Sequence, residues 1–144
     1  MSNRPHEILL IEDDLSDVRL VTEALKVVAI RNNLNVARDG VEALAFLRRE
    51  DRYAYAPRPD LILLDLNLPK KYGQSVLADI KGDPNFKRIP VVVLTTSDSE
   101  MNILRAYELH ANAYIVKPVE LKQFIEVIQS TTEFWLTVAR LPPK

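Results

Sequence analysis

Three acidic side chains in this sequence directly follow two short apolar runs. Glu12 and Asp13 come after Ile8–Ile11, and Asp65 comes after Leu61–Leu64. Carboxylates brought close together repel one another, and their pKa values rise unless a positive charge neutralises them. Because the ligands on offer are oxygens, with no sulfur or imidazole beside them, the arrangement suits Mg²⁺ or Mn²⁺. Protein-bound Mg²⁺ commonly also binds a phosphate, so we expect a phosphate-bearing substrate.

Two further apolar runs end in groups that complement such a site. Thr95 and Thr96 follow Val91–Leu94, and Lys117 follows Tyr114–Val116. The lysine supplies one positive charge against the carboxylates. A single acid or hydroxyl at a strand end is most often a helix cap or a solvated loop residue. Because the acids, the hydroxyl and the lysine follow different apolar runs, we interpret them together as one site.

Asp14 and Asn67 stand beside this site with roles that the sequence leaves open. Asp14 follows the acid pair, and a role as the cap of the next helix is favoured over a direct role at the metal. The loop after Asp65 contains Asn67, and backbone carbonyls there are further oxygen ligands. Thr96 is ambiguous in the same way as Asp14.

The elements that position these residues are predicted as five strands, each followed by a helix. Four of the five apolar runs lack polar and apolar alternation, which is typical of strands buried on both faces of a parallel sheet. The run Leu34–Ala37 alternates, so we expect it at a sheet edge. Residues at helical spacing fill the gaps, which predicts a doubly wound (βα)5 fold with strand order 2-1-3-4-5. Ligands of such sheets bind at the carboxyl ends of the strands, between the first and third strands.

Local signals predict where the helices begin and where a loop lies. Ser16 or Asp14 is expected to cap the first helix, Asp39 the second, and Ser97 or Asp98 the fourth. The segment 50–60, which contains two prolines, is expected to be an exposed loop.

Composition and charge exclude several classes of protein. The 144 residues suffice for about one domain. The absence of cysteine excludes disulfides and thiolate metal sites, and three glycines leave no glycine-rich nucleotide motif. A net charge of -1 disfavours nucleic-acid binding. No apolar run approaches the roughly 20 residues of a membrane span, and no secretory signal is seen, so we expect a cytoplasmic protein without membrane or nucleic-acid partners.

Five motifs, in their order and spacing, resemble the receiver domains of two-component response regulators, which have the CheY-like, flavodoxin-like fold. The resemblance covers roughly residues 6–130, within a single domain spanning 1–144 that has a C-terminal extension from about residue 130. Within that family, the chain resembles the stand-alone response regulators associated with bacterial and cyanobacterial phytochrome histidine kinases. The matching stretches are Ile8–Asp14, Ala37–Leu44, Asp60–Pro69, Ile89–Thr96 and Ala113–Pro118.

The resemblance implies a role for each residue of the site. Asp65 matches the phosphoacceptor, whose carboxylate takes a phosphoryl group from a phosphohistidine of a sensor histidine kinase. Glu12, Asp13, Asp65 and the backbone carbonyl of Asn67 match the ligands of Mg²⁺ or Mn²⁺. Lys117 matches the cation that pairs with the phosphoryl oxygens. No enzymatic turnover is implied beyond self-phosphorylation from small donors and self-dephosphorylation.

Thr95 and Tyr114 match the hydroxyl and the aromatic ring that switch position after phosphorylation. The chain also departs from the common pattern of the family at three positions. Tyr72 stands where many receivers have an acid, His110 where a glycine is common, and Val119 where a phenylalanine is usual. None of these positions matches the phosphorylation core. The histidines, His110 among them, are expected at the surface, which favours a phosphoryl receiver over a histidine phosphodonor.

The predicted last helix is apolar on more than one side, which has two interpretations. A second apolar stripe is typical of a partner surface, whereas the last turns could instead fold back onto the same domain. The resemblance favours a homodimer. The candidate dimer residues are Phe124, Val127, Phe134, Trp135 and Val138.

Two alternative functions remain open at this point. One is a phosphorylation-independent module that acts only through dimerisation. The other is a small Mg²⁺-dependent phosphatase with an aspartyl nucleophile, which the short chain without a cap domain disfavours.

Overall fold

The computed structural model describes residues 4–143, which contain one parallel five-stranded sheet. Its order is β2-β1-β3-β4-β5, so the predicted doubly wound fold and strand order are confirmed. The first-to-third strand neighbourhood is also as expected, since β1 pairs with both β2 and β3. The strands are β1 (His6–Ile11), β2 (Asn32–Ala37), β3 (Leu61–Leu64), β4 (Val91–Thr95) and β5 (Ala113–Val116).

Helices follow every strand and cover both faces of the sheet. They are α1 (Leu15–Lys26), α2 (Gly40–Arg48), α3 (Gly73–Gly82), α4 (Glu100–Glu108) and α5 (Leu121–Glu133). A 3₁₀ turn, Asp51–Tyr53, lies within the predicted loop 50–60, and a π-helical turn, Phe134–Val138, extends α5. Within residues 4–143, no helix has both the length and the apolar character needed to cross a membrane.

The core consists of two apolar layers, one on each face of the sheet. Alternate residues of the central strands point to opposite faces, as the two-residue period of a strand requires. In β1, Leu9 and Ile11 pack on the layer that includes α2 and α3, whereas Ile8 and Leu10 pack on the layer that includes α1 and α5. The side chains of β1 (8–11), β3 and β4 that form these layers are buried, so the central strands are fixed from both sides.

Two local predictions are wrong. We expected the run Tyr114–Val116 to be buried on both faces, but β5 pairs with β4 alone, and Val116 is 39% exposed. The cap of α4 is Ser99, rather than Ser97 or Asp98, because the Ser97 hydroxyl accepts the backbone N–H of Ser99 and the helix begins later.

The candidate dimer residues do not share one exposed face. Phe124 is 4% exposed and belongs to the core between α5 and the sheet, so it drops out of a candidate surface. Val127 and Trp135 are half-buried, whereas Phe134 and Val138 are exposed.

Part of the C-terminal segment folds back onto its own domain. Leu136, in the π-helical turn, is buried, and Trp135 and Leu141 pack against the same apolar layer as α1 and α5. The fold-back interpretation therefore holds for these three residues. Phe134 and Val138 remain available to a partner.

Gly73 allows the start of α3 to approach the chain that follows β3. A Cβ atom at this position would lie 2.4 Å from the Cα of Leu66 and 2.5 Å from the backbone oxygen of Asp65. Both are backbone atoms, which cannot move aside as a flexible side chain does. The first turn of α3 is thereby packed against the loop that carries Asp65.

We predict that Gly73→Ala lowers the free energy of unfolding by roughly 1–3 kcal/mol, because the added methyl group overpacks a backbone contact. Urea unfolding measures the change. Gly82→Ala is the matched control, since a Cβ there meets no atom within 4 Å. It should leave stability unchanged or raise it by up to about 1 kcal/mol, because alanine is favoured over glycine in a helix. Equal stabilities of the two variants would contradict the close approach.

Candidate functional site

The carboxyl ends of β1, β3 and β5 place three functional residues together along the carboxyl-terminal edge of the sheet. The backbone N–H of Asp65 donates to the carbonyl of Ile11 at 3.0 Å, and that of Lys117 donates to the carbonyl of Thr95 at 2.7 Å. The N–H of Glu12 likewise donates to the last carbonyl of β2 at 2.9 Å. Each functional residue is therefore fixed by the ladder of the sheet, one residue beyond the strand that precedes it.

The ammonium of Lys117 joins these residues through three carboxylates. Its Nζ lies 2.5 Å from Oε1 of Glu12, 2.7 Å from Oδ2 of Asp17 and 3.0 Å from Oδ2 of Asp65. An ammonium has three N–H donors, so each donor has a carboxylate acceptor. The side chain of Lys117 is only 4% exposed, which strengthens these contacts relative to surface ion pairs.

The pKa shifts of the site follow from burial and from charge. Burial, together with the neighbouring carboxylate of Asp65, raises the pKa of Glu12 to about 8, although Lys117 acts in the opposite direction. Burial would lower the pKa of Lys117, but hydrogen bonds to Asp17 and Glu12 outweigh it and raise that pKa above its ordinary range. One lysine therefore remains charged here without compensating the acids in full.

The acids predicted to bind a metal do lie together. Glu12, Asp13 and Asp65 each offer a carboxylate oxygen, and these oxygens all lie within 4.8 Å of one another. Glu12 and Asp65 are buried, whereas Asp13 is exposed, so the cluster has an open side. Three oxygen donors and an excess of negative charge fit a hard divalent cation such as Mg²⁺ or Mn²⁺.

Asp14 and Asn67 have defined places beside this cluster. The carboxylate of Asp14 caps α1, because its Oδ1 accepts from the backbone N–H groups of Ser16 and Asp17. Asp14 is therefore engaged as a helix cap, as the sequence favoured. The backbone N–H of Asn67 donates to Oδ1 of Asp65 at 3.1 Å, which helps to orient that carboxylate. The carbonyl of Asn67 as a metal ligand stays a prediction.

Thr95 and Tyr114 lie on the neighbouring strands β4 and β5. Thr95 is fully buried, and its hydroxyl has no hydrogen-bond partner within residues 4–143. Tyr114 is half-buried, and its hydroxyl donates to the backbone oxygen of Ser97 at 2.9 Å. Burial raises the pKa of Tyr114, so the phenol stays protonated and remains a donor. Thr96 is exposed, which is typical of a loop residue.

Sequence reasoning missed Asp17, the third carboxylate on Lys117. The predicted polar residues of the site lie at or just after strand ends, whereas Asp17 lies in the first turn of α1. Two signals point to it in retrospect. An acid there lies one helical turn beyond the acid pair, and the start of α1 faces the same edge of the sheet as the strand ends.

The three departures from the common family pattern lie outside the acid cluster. Tyr72 precedes α3 and is 76% exposed, and Val119 is fully exposed. His110 has a φ of 72°, which is the left-handed conformation that favours glycine. A glycine at this position in relatives is explained by that backbone geometry, which a histidine adopts here at some cost in strain.

A comparison with protein families decides the affiliation of the chain. The model described as "Response regulator receiver domain" matches residues 8–129. This chain belongs to the response regulator receiver family. The predicted resemblance is therefore confirmed, and the receiver match spans all five strand–helix units.

Similar proteins cover almost the whole receiver chain. It is 52% identical over 141 residues to the response regulator Rcp1 of Synechocystis. The aligned region covers 98% of this chain and 96% of Rcp1. The crystal structure of the phosphorylated cyanobacterial phytochrome response regulator RcpA matches 97% of this chain and 100% of that chain with a TM-score of 0.94 and 51% identity. The Mn²⁺-bound form of Rcp1 matches 96% of this chain and 100% of that chain with a TM-score of 0.92 and 51% identity.

We predict that Mg²⁺ raises the melting temperature of the wild-type protein, because a ligand that binds the folded state alone stabilises it. The Asp13→Asn variant should need at least about tenfold more Mg²⁺ for the same rise in melting temperature, since the substitution removes one charged oxygen ligand. Asp14→Asn is the matched control, because asparagine also caps helices well. Thermal unfolding across a Mg²⁺ titration measures both. Equal responses of the two variants would exclude Asp13 from the metal site.

Proposed function

We propose that this receiver domain accepts a phosphoryl group on Asp65 from a phosphohistidine of a sensor histidine kinase. The observation that carries the proposal is the position of the Asp65 carboxylate, which contacts the Lys117 ammonium at 3.0 Å and lies within 4.8 Å of carboxylate oxygens of Glu12 and Asp13. A carboxylate that contacts a cation and belongs to a metal-binding group is suited to act as a nucleophile toward phosphorus.

The transfer replaces one bond to phosphorus with another. An oxygen of Asp65 attacks the phosphorus atom, the bond from phosphorus to the imidazole nitrogen breaks, and the imidazole retains the electron pair of that bond. The product is an acyl phosphate on Asp65, and no oxidation or reduction occurs. Lys117 neutralises charge on the phosphoryl oxygens, and Asn67 orients the carboxylate through its backbone N–H.

Glu12, Asp13 and Asp65 are the residues that would hold a divalent cation, with the carbonyl of Asn67 as a further proposed ligand. The bound cation would neutralise negative charge on the phosphoryl group and on the carboxylates around it. The oxygen-only donor set and the raised pKa of Glu12 support this assignment. A relative, Rcp1, has a structure in a Mn²⁺-bound form, which also supports a divalent cation in this receiver.

The output proposed for this domain is a change of surface initiated at Thr95. Its buried hydroxyl has no hydrogen-bond partner among the described residues 4–143, so a phosphoryl oxygen placed nearby would give it one. Movement of Thr95 would draw in the loop that follows β4, to which Tyr114 is tied through the backbone oxygen of Ser97. Tyr114 is thus the second member of the proposed switch.

The proposed upstream partner is a phytochrome histidine kinase, on the basis of similarity to the phytochrome response regulator RcpA. We further propose that the domain signals by protein contacts as a homodimer, with exposed Phe134 and Val138 as candidate contacts and Val127 and Trp135 beside them. No nucleic-acid or membrane partner and no separate enzymatic turnover are proposed. The cytoplasmic location expected from the sequence stays a prediction.

The test of phosphoryl acceptance uses acetyl phosphate and Mg²⁺ with intact-protein mass measurement. We expect wild type to gain one phosphoryl group and Asp65→Asn to gain none, because asparagine lacks the nucleophilic carboxylate. Asp60→Asn is a control at the opposite end of β3 and should still be modified. Equal modification of Asp65→Asn would overturn the assignment. Multiple turnover of phosphomonoesters would favour the phosphatase, and a dimer fraction indifferent to phosphorylation would favour the interaction module.

We predict that Thr95→Val leaves the stability of the unphosphorylated protein intact but removes the structural response to phosphorylation. The unphosphorylated variant should be as stable as wild type or more stable by roughly 1 kcal/mol, because the buried hydroxyl it removes has no partner. After phosphorylation, the variant should fail to gain the structural response of the wild type, measured by amide hydrogen exchange of the loop after β4. Thr132→Val is the matched control, since its buried hydroxyl is also unpartnered but lies in α5. An identical phosphorylation response of the Thr95 variant and wild type contradicts the switch role.

A further inference from the structure

We propose that Asp17 is a positioning residue for phosphoryl transfer, holding the Lys117 ammonium in place over Asp65 from the first turn of α1. The proposal rests on the proposed phosphoacceptor role of Asp65 and extends it to a residue outside the strand ends. Asp17 is not a member of the acid cluster suited to a metal, which consists of Glu12, Asp13 and Asp65.

Asp17 supplies one of the three carboxylate contacts of the Lys117 ammonium. With all three acceptors present, each N–H of the ammonium has a carboxylate partner, whereas without Asp17 one N–H would lose its partner. The contact to Asp17 is 2.7 Å long, shorter than the 3.0 Å contact to Asp65. By distance, the contact of Lys117 to Asp17 is therefore at least as close as its contact to the proposed phosphoacceptor Asp65.

The contact also joins two elements that the sheet does not join. Lys117 directly follows β5, and Asp17 lies 100 residues earlier in the chain on α1. Its carboxylate is 22% exposed, against 4% for the Lys117 side chain. The pair is therefore shielded on the lysine side, where the interaction is stronger than at an open surface.

Phosphorylation changes one of the three contacts and leaves Asp17 as an anchor. When Asp65 becomes an acyl phosphate, its carboxylate charge is lost and the phosphoryl oxygens become the stronger acceptors for Lys117. The donor that pointed to Asp65 then points to the phosphoryl group. Asp17 holds the ammonium through this exchange, so that it meets the incoming phosphoryl group without first being reoriented.

The test compares three variants in the rate constant of phosphorylation by acetyl phosphate at saturating Mg²⁺. Asp17→Asn should be slower than wild type by roughly three- to tenfold, because a neutral amide holds an ammonium less firmly. Asp17→Glu should recover most of the rate, since it keeps a carboxylate. Glu42→Gln is the matched control, because Glu42 is also the first-turn acid of its helix, α2, three residues after the cap.

A second measurement follows Lys117 directly and does not depend on phosphorylation. The ¹H–¹⁵N signal of its ammonium, recorded without donor at low temperature, should shift and exchange faster with water in Asp17→Asn. It should be unchanged in Glu42→Gln. Should Asp17→Asn fail to fold, Asp17→Ser takes its place, because serine is too short to keep the contact.

Three outcomes would overturn the inference. They are a wild-type or faster rate in Asp17→Asn, an equal loss in Asp17→Asn and Glu42→Gln, and an unchanged Lys117 signal. An equal loss in Asp17→Asn and Glu42→Gln would mean that the rate responds to any acidic charge at the start of a helix and not to the contact with Lys117. A wild-type protein that takes up no phosphoryl group is a separate result, since it contradicts the phosphoacceptor role of Asp65 rather than the contribution of Asp17.

Discussion

The contact of one ammonium with three carboxylates is the constraint on which this site depends. Lys117 touches Glu12, Asp17 and Asp65, and Asp13 lies within the same acid cluster. Without the ammonium, these carboxylates would repel one another, and Glu12 and Asp65 would do so in buried surroundings. Burial and the neighbouring carboxylate of Asp65 raise the pKa of Glu12 even though Lys117 contacts it. A site with this residual charge is electrostatically prepared for a divalent cation.

The sheet is what forces the acids together and keeps them there. Parallel strands deliver their carboxyl ends to the same edge, and the central strands are clamped by apolar layers on both faces. Glu12, Asp65 and Lys117 are each held by a backbone hydrogen bond to a neighbouring strand. Gly73 lets α3 pack directly on the segment after Asp65. The apolar core therefore supplies the free energy that offsets the repulsion in the site.

The strand ends of the site were predictable from sequence because each strand is a short apolar run that is directly followed by a polar residue. Glu12, Asp65 and Lys117 each stand one residue beyond a strand, so locating the strands located the residues. Asp17 was not predictable in this way, since its helix turns it back toward the site and only the packing of α1 shows the contact. The misplaced Phe124 has a similar cause. An apolar residue on a helix has the same pattern whether its own sheet or a partner covers it.

The exposure of the edge strand β5 and the cap of α4 could not be predicted from the sequence for a different physical reason. The composition of β5 is that of a buried strand, but its position at the sheet edge leaves one side without a neighbour. The start of α4 depends on which of several side-chain oxygens accepts a free backbone N–H, and Ser97, Asp98 and Ser99 are all suitable by type. Composition predicts the kind of element, whereas neighbours in space determine its exposure and exact ends.

The hydroxyl of Thr95, which has no hydrogen-bond partner within residues 4–143, connects the resting site to the proposed switch. Burying a hydroxyl without a hydrogen bond costs roughly 1–3 kcal/mol, and this cost falls on the state described here. A state in which a phosphoryl oxygen accepts from Thr95 recovers the cost. A difference of that size changes the ratio of two conformations by roughly five- to 150-fold. Under the proposed function, the free-energy cost of this one buried hydroxyl is thus large enough for phosphorylation of Asp65 to shift the conformation of the neighbouring loop.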